Sequence, residues 1–284
     1  MDATNLYNQV QSHYGSLATG GQSSKYGHSV AVAFGYSEEE LSNVPEDAQM
    51  GLCCGNAITM AALKEGETVV DFGCGAGFDV FLAAKRVGPT GRVIGVDRNK
   101  DMLARAHRNK ETAKATNVEF VESPIVKIDT GSSEADCIIS NCVVNLVPEE
   151  EKQLVFNEMH RILKPGGRVA VSDILAKKEL PEQLKKDMAL YVGCISGASQ
   201  VQDYEKYLKT AGFSAPDILL VDSKSDLNVY TTTGEDGTAG SEQPNIPCCG
   251  PAKAETSFVE SVVKNVDFNE WAGSFKIYAV KGQQ

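Results

Sequence analysis

The stretch ETVVDFGCGAGF (67–78) decides the fold of this chain. Its apolar half predicts a short strand over residues 67–72, and its second half predicts a tight turn that opens a helix over residues 76–87. Gly73, Gly75 and Gly77 allow the backbone to turn sharply and to approach a ligand closely. A glycine-rich turn between a strand and a helix therefore predicts a ligand site at the end of the first strand.

The same strand–helix alternation continues after this stretch. Further strands are predicted at 92–97, 118–121, 136–140 and 168–173, and further helices at 100–114 and 149–163. This order predicts a parallel sheet with helices on both faces, which is an α/β fold. Outside this region, the sequence predicts helices at 5–14, 181–190, 202–211 and 258–264, a capping box from Ser37 to Glu40, strands at 217–221, 229–232 and 274–280, and a mobile loop at 233–256.

A carboxylate at the end of the second strand supports a nucleoside site. Asp97 lies 26 residues after Asp71, where it can accept both hydrogen bonds of a ribose diol. The glycine spacing is G-x-G-x-G with Phe78 next, whereas a dinucleotide-binding turn, typical of a dehydrogenase, would read G-x-G-x-x-G. With Asp71 before the first glycine and LKPGG (163–167) before the fifth strand, residues 66–174 resemble the class I methyltransferases that use S-adenosylmethionine.

This resemblance implies a role for each candidate cofactor residue. Asp71, Gly73, Gly75 and Gly77 would bind the methionine end of S-adenosylmethionine, and Asp97 would bind its ribose. Arg98 and Met102 would lie beside the adenine, Ile125 would cover its other face, and Asn141 would lie near the cofactor.

The overall charge restricts the possible partners. The chain has 284 residues with a net charge of −11, so a broad basic surface for nucleic acid or for an anionic membrane is not expected. No apolar run approaches the roughly 20 residues that span a bilayer, and the first residues do not resemble a signal peptide. We therefore expect a cytoplasmic protein whose thiols are mostly reduced.

Three cysteine-containing segments narrow the resemblance. GLCCGNA (51–57), SNCVVNL (140–146) and YVGCISGA (191–198), together with YSEEELSNVPEDA (36–48) and NEWAGSFKIYAVK (269–281), resemble the arsenite methyltransferases. By this resemblance, Cys54, Cys142 and Cys194 are the three thiols that bind trivalent arsenic during catalysis. Thiolates suit this soft element, and a pyramid of three sulfurs leaves its lone pair free to attack the cofactor's methyl group.

The resemblance also implies the wider function and the domain organisation. The enzyme would detoxify arsenite by forming mono- and dimethylated arsenicals, as a monomer, with glutathione or thioredoxin as reductant. Residues 1–60 would form a helical cap carrying the first thiol, residues 61–176 the Rossmann-like domain that binds S-adenosylmethionine, and residues 177–284 a smaller α+β accessory domain for the arsenic substrate.

The sequence leaves other roles open for the remaining cysteines and for the protein as a whole. Cys74 and Cys137 are predicted to be packing residues, because cysteine is often a small apolar filler. Cys53 is expected to be dispensable for the first methyl transfer, and Cys248 and Cys249 would either capture arsenic or be idle surface thiols. The alternative functions are a methyltransferase of another small molecule with packing cysteines, and a thiol-based protein that sequesters arsenic or a metal.

Overall fold

The structure is a computed structural model that describes residues 2–20, 24–129, 131–180, 194–227 and 267–283. The helices predicted at 181–190 and 258–264, the strand predicted at 229–232, the loop predicted at 233–256 and the pair Cys248–Cys249 lie outside these described residues.

A single seven-stranded sheet forms the centre of the described structure, in the order β3-β2-β1-β4-β5-β7-β6. The first five strands are mutually parallel, whereas β7 runs antiparallel to both of its neighbours. The strands are β1 Thr68–Phe72, β2 Arg92–Asp97, β3 Val118–Glu122, β4 Ala135–Asn141, β5 Leu163–Ala176, β6 Ile218–Asp222 and β7 Ala272–Val280. The predicted α/β class and the parallel core are confirmed.

Helices cover both faces of the sheet. They are α1 Ala3–Thr19, α2 Ser24–Ala33, α3 Glu38–Ser42, α4 Ala57–Ala61, α5 Phe78–Val87, α6 Lys100–Ala113, α7 Lys152–Ile162 and α8 Val201–Ala211. The capping box predicted at Ser37 and Glu40 is present. Among the described residues, no helix is both long enough and apolar enough to cross a membrane.

The alternation of side chains along β1 explains why helices pack on both faces. Val69 belongs to the cluster that contains Val80 of α5, and Val70 belongs to the cluster that contains Phe156 of α7. Successive residues of a strand point to opposite faces, so a strand buried on both sides needs apolar side chains facing each side. Val69, Val70 and Phe72 of β1 meet that requirement, and Asp71 interrupts the apolar run near the carboxyl end of the strand.

The N-terminal helix closes over the edge where the parallel strands end. Helix α1 packs along α6, and Arg105 of α6 donates hydrogen bonds to the carbonyl oxygens of Ala18 and Asp47. The side chain of Asn99 donates to the carbonyl oxygen of Gln11 at 2.9 Å. These bonds fix α1 beside the glycine turn.

The division of the chain at residue 177 stays a prediction. However, β6 and β7 lie on the far side of that division and still belong to the central sheet, because β7 inserts between β5 and β6. The described part of the C-terminal region is therefore continuous with the core through its hydrogen bonds.

Candidate active site

The glycine turn after β1 has the left-handed geometry that its sequence predicts. Gly73, Gly75 and Gly77 have φ angles of 76°, 51° and 91°. A Cβ atom on Gly73 would collide with Val143, and one on Gly77 would lie 2.8 Å from the ring of Phe81. The nearest atom to a Cβ on Gly75 would be 3.9 Å away, on the sulfur of Met102. Gly73 and Gly77 are thus required for packing, while Gly75 faces open space.

Asp97, at the end of β2, binds the backbone of the glycine turn. Its Oδ2 atom accepts a hydrogen bond from the backbone N–H of Gly75 at 2.9 Å, and its Oδ1 atom accepts one from Asn99 at 2.8 Å. Burial raises the pKa of Asp97, although these backbone bonds partly offset that effect. The carboxylate therefore lies at the end of β2, as predicted, and each oxygen keeps a lone pair for a ligand.

A second carboxylate has no counter-charge. Asp71 is 3% exposed, and among the described residues its carboxylate is paired with no hydrogen-bond donor or cation. Burial raises its pKa well above the ordinary value, and the nearby charges of Asp79 and Asp97 raise it further. A positively charged ligand would remove this uncompensated charge. S-adenosylmethionine, which carries a sulfonium and an ammonium group, fits this requirement.

These residues surround a cleft with a cavity volume of about 150 Å³. Of the nine predicted cofactor residues, Gly77 does not line the cleft, because it is the N-cap of α5 and packs on Phe81. The guanidinium of Arg98 lies 3.9 Å from the centre of the Tyr7 ring, which places Arg98 under α1. The predicted residues that line the cleft are Asp71, Gly73, Gly75, Asp97, Arg98, Met102, Ile125 and Asn141.

Cys142 connects this cleft to a cluster of thiols. It follows β4, lines the cleft and has a positive φ angle of 58°. Its Sγ atom is in direct contact with that of Cys54, and the two Cα atoms are 5.8 Å apart. That Cα separation lies within the range of disulfides, so both sulfurs can reach one shared atom.

Cys194 also contacts Cys142. Its thiol donates to the carbonyl oxygen of Cys142 at 2.9 Å, and its φ angle is 61°. Cys54 and Cys194 are 0% and 2% exposed, so these two thiols are shielded from water, whereas Cys142 is only partly buried at the cleft. The structure thus brings Cys54 and Cys194 into contact with Cys142, although the three residues are distant in sequence. The sulfur of Cys194, however, does not lie within 4.8 Å of both other sulfurs, since it contacts the backbone carbonyl of Cys142.

Sequence reasoning missed one acidic neighbour of these thiols. A carboxylate oxygen of Asp173 lies within 4.8 Å of the sulfurs of Cys54 and Cys142. Burial raises the pKa of Asp173 to about 6, while a hydrogen bond from Tyr204 opposes the rise. Its position carried a usable signal: β4 and β5 are adjacent and parallel with Asn141 opposite Ser172, so the residue after Ser172 lies near the residue after Asn141.

The remaining cysteines fall into two groups. Cys74 and Cys137 are buried in the core, and burial raises the pKa of both thiols, that of Cys137 to about 12. This environment agrees with their predicted packing role. Cys74 and Cys53 both line the cofactor cleft, whereas Cys137 does not, and burial together with the charge of Asp79 raises the pKa of the Cys53 thiol.

The sequence of residues 63–212 matches a family model described as a methyltransferase domain. The chain belongs to this methyltransferase family. The expected class I methyltransferase fold is thereby confirmed, and the dehydrogenase alternative is set aside. S-adenosylmethionine is the cofactor that the family supports.

Curated relatives of this methyltransferase include arsenite methyltransferases. One from Halobacterium salinarum is 44% identical over 193 residues, which cover 68% of this chain and 49% of that relative. One from Mus musculus is 32% identical over 240 residues, which cover 78% of this chain and 63% of that relative. The chain therefore spans between about half and two thirds of the length of these relatives.

Solved structures agree with the fold of the methyltransferase. An arsenic(III) S-adenosylmethionine methyltransferase from Chlamydomonas reinhardtii superposes with a TM-score of 0.58 at 24% identity, covering 89% of this chain and 73% of that one. A phosphoethanolamine N-methyltransferase from Haemonchus contortus, solved with S-adenosyl-L-methionine, gives a TM-score of 0.61 at 18% identity, covering 92% and 58%. At these identities, the likeness concerns the fold alone.

Proposed function

We propose that this methyltransferase transfers a methyl group from S-adenosylmethionine to trivalent arsenic bound by Cys54, Cys142 and Cys194. The proposal rests on the location of Cys142 at the boundary between the cofactor cleft and the other two cysteines. This residue lines the cofactor cleft and also touches the other two cysteines. An atom bound by these sulfurs would lie at the edge of the cleft. Detoxification of arsenite is the role that follows.

The cofactor residues have separable tasks in this proposal. Asp71 supplies the negative charge for the cationic end of the cofactor, and Asp97 accepts hydrogen bonds from the ribose. Met102 and Ile125 provide apolar surface for the adenine. When bound, S-adenosylmethionine supplies the electrophilic methyl carbon that the arsenic lone pair attacks.

The thiols prepare the arsenic for this attack. Each S–H group replaces one As–OH group of arsenite, forming one S–As bond and releasing one water molecule. Sulfur is the ligand that a soft element prefers, and the burial of Cys54 and Cys194 keeps water from reversing the exchange. Catalysis then depends mainly on placing the arsenic lone pair opposite the methyl carbon. In favourable cases such positioning lowers the activation barrier by roughly 7–11 kcal/mol.

A reductant is part of the same proposal. Methyl transfer through the lone pair converts As(III) to As(V), and a second transfer needs As(III) again. Because Cys54 and Cys142 are in contact, their oxidation to a disulfide would return two electrons to arsenic, and the oxidised pair then has no thiolate to offer arsenic. Two equivalents of a small thiol such as glutathione, or one reduced thioredoxin, would restore both thiols and be oxidised to a disulfide. We further expect a cytoplasmic monomer that forms mono- and dimethylated arsenic.

The decisive experiment is incubation with arsenite, glutathione and methyl-labelled cofactor, followed by arsenic speciation. We expect labelled methylated arsenic from the wild type and little or none from Cys54→Ser, Cys142→Ser and Cys194→Ser. Cys137→Ala is the matched control, because Cys137 lies earlier in the strand that precedes Cys142, where the charged groups near its thiol are Arg168, Glu67 and Asp136.

Two other outcomes would favour the alternative functions. Cofactor binding without arsenic methylation, together with full activity of Cys142→Ser on another acceptor, would favour a different small-molecule methyltransferase. Arsenic binding without cofactor binding in calorimetry would favour a sequestration protein. We also expect Cys53→Ser to retain the first transfer, and loss of that transfer would refute the predicted dispensability of Cys53.

A further inference from the structure

Two asparagines flank Cys142 in the run SNCVVN (140–145), and their amides point to different partners. The Oδ1 atom of Asn141 accepts a hydrogen bond from the backbone N–H of Cys54 at 3.0 Å. Its Nδ2 atom donates to the carbonyl oxygen of Gly55 at 2.8 Å. The Asn141 side chain thus bonds the backbone N–H of Cys54 and the carbonyl oxygen of the next residue, Gly55.

Asn145 makes one longer contact to the segment of Cys194. It is 0% exposed, and its Nδ2 atom lies 3.4 Å from the carbonyl oxygen of Cys194. The same atom donates to the carbonyl oxygen of Ile174 at 2.6 Å and to Asp173 at 2.8 Å. Asn145 therefore ties the Cys194 segment to the end of β5.

We propose that Asn141 and Asn145 are positioning residues that hold the other two thiols against Cys142, Asn141 holding Cys54 and Asn145 holding Cys194. The inference rests on the proposed function for its purpose, because arsenic needs all three sulfurs at once. Its geometric part concerns only the approach of the thiols and can be tested without arsenic.

The local backbone explains why such positioning is needed. Cys54 lies between the turn Glu46–Ala48 and helix α4, and Cys194 lies outside the helices and strands of the described residues. Neither cysteine is therefore placed by a regular hydrogen-bond ladder. Cys142 itself is fixed by the bond from its N–H to the carbonyl oxygen of Ser172 at 3.0 Å, so it is the reference point for both partners.

The two contacts are separable in the described structure. The hydrogen bonds of Asn141 go to the Cys54 segment and to Tyr36 and Asp79 beneath it. Those of Asn145 go to the Cys194 segment, to the end of β5 and to Tyr204. A general loss of packing would loosen both thiol pairs together, whereas removal of one positioning amide should loosen one pair.

The test is thiol cross-linking of the reduced full-length chain with dibromobimane, followed by peptide mapping. We expect Asn141→Ala to lower the Cys54–Cys142 cross-link roughly 5- to 10-fold, as the loss of a buried hydrogen bond would, without lowering the Cys142–Cys194 cross-link. Asn145→Ala should give the reverse pattern. Equal losses of both cross-links in each variant, or no loss in either, would overturn the proposal.

A milder variant covers the case in which Asn141→Ala fails to fold. The hydroxyl of Ser274 donates to the carbonyl oxygen of Cys54, whereas Asn141 bonds the N–H of Cys54 and the carbonyl oxygen of Gly55. Ser274→Ala should therefore also lower the Cys54–Cys142 cross-link selectively. If it lowers both cross-links equally, the Cys54 segment is not positioned independently, and the proposal fails.

Arsenite then distinguishes this proposal from the proposed function. If the wild type forms both cross-links with the expected variant pattern but methylates no arsenic, the positioning role stands and the proposed function fails. If the wild type methylates arsenic and the variants cross-link like the wild type, the proposed function stands and the positioning role fails.

Discussion

The thiol of Cys194 donates to the carbonyl oxygen of Cys142 at 2.9 Å, and both residues have left-handed backbone conformations. A residue with a Cβ atom pays roughly 1–2 kcal/mol for this conformation. Such strain persists only where the surrounding contacts fix the backbone, and it is frequent at functional sites. The fold thus holds two of the three candidate arsenic ligands in a conformation that their residue type disfavours.

The strain at Cys194 can be measured as a difference between two substitutions. We expect Cys194→Gly to be more stable than Cys194→Ala by roughly 1 kcal/mol, because glycine adopts the left-handed conformation freely. Urea unfolding checks this. Cys137 is the control, since it lies within strand β4, and there Gly should be the less stable replacement. The same order at both positions would contradict the expected strain.

Gly75 and Gly73 should respond differently to alanine. We expect Gly75→Ala to weaken cofactor binding at least 10-fold, because its Cβ atom would enter the cleft, and to cost only about 1 kcal/mol of stability for its φ angle. Gly73→Ala should cost more stability, since its Cβ atom would collide with Val143. Calorimetry and urea unfolding separate the two effects. Wild-type cofactor affinity in Gly75→Ala would contradict the role of this cleft.

The buried carboxylate of Asp79 should make stability depend on pH. Burial raises its pKa to about 6, although hydrogen bonds from Asn141 and Tyr36 oppose the rise. The folded chain therefore retains this proton to a higher pH than the unfolded chain does, so stability falls as the pH rises from about 4 to about 6. We expect Asp79→Asn to reduce that fall by on the order of 3 kcal/mol.

Urea unfolding of the cofactor-free protein at several pH values measures this effect. Asp217→Asn is a suitable control, because Asp217 lies in an exposed turn. A stability profile of Asp79→Asn that matches the wild type would show that Asp79 titrates alike in both states.

Lys152 should stabilise the segment of Cys194. Its side chain is 1% exposed, and its Nζ atom donates to the carbonyl oxygen of Gly197 and to the hydroxyl of Ser199. We expect Lys152→Met to cost roughly 2 kcal/mol, since these buried acceptors lose their donor. Lys209→Met, which removes an exposed pair with Glu205, should change stability by less than about 0.5 kcal/mol. Equal losses would contradict the structural role of Lys152.

The local features of the fold were predictable because they depend on neighbouring residues. The glycine turn, the capping box at Ser37 and the strand that ends at Asp97 follow from short-range rules of conformation and hydrogen bonding. Boundaries were less exact. The helix predicted from residue 149 begins at Lys152, because residues 149–151 form a separate turn, and the helix predicted over 5–14 extends to Ala3–Thr19.

The arrangement of distant segments was less predictable. No local sequence pattern predicts that β7 inserts between β5 and β6, because strand order depends on packing across the whole sheet. The place of Asp173 beside the thiols likewise depends on the pairing of β4 with β5. The gathering of Cys54, Cys142 and Cys194 was expected only from a family resemblance, since spacing along the chain carries no information about it.

The most direct measurement is X-ray absorption spectroscopy of the reduced protein loaded with one equivalent of arsenite. We expect an arsenic shell made only of sulfur in the wild type, with one sulfur replaced by oxygen in each of Cys54→Ser, Cys142→Ser and Cys194→Ser. Cys137→Ala should keep the wild-type spectrum. If replacement of even one of the three cysteines left the arsenic shell unchanged, the result would contradict the binding of one arsenic atom by all three sulfurs.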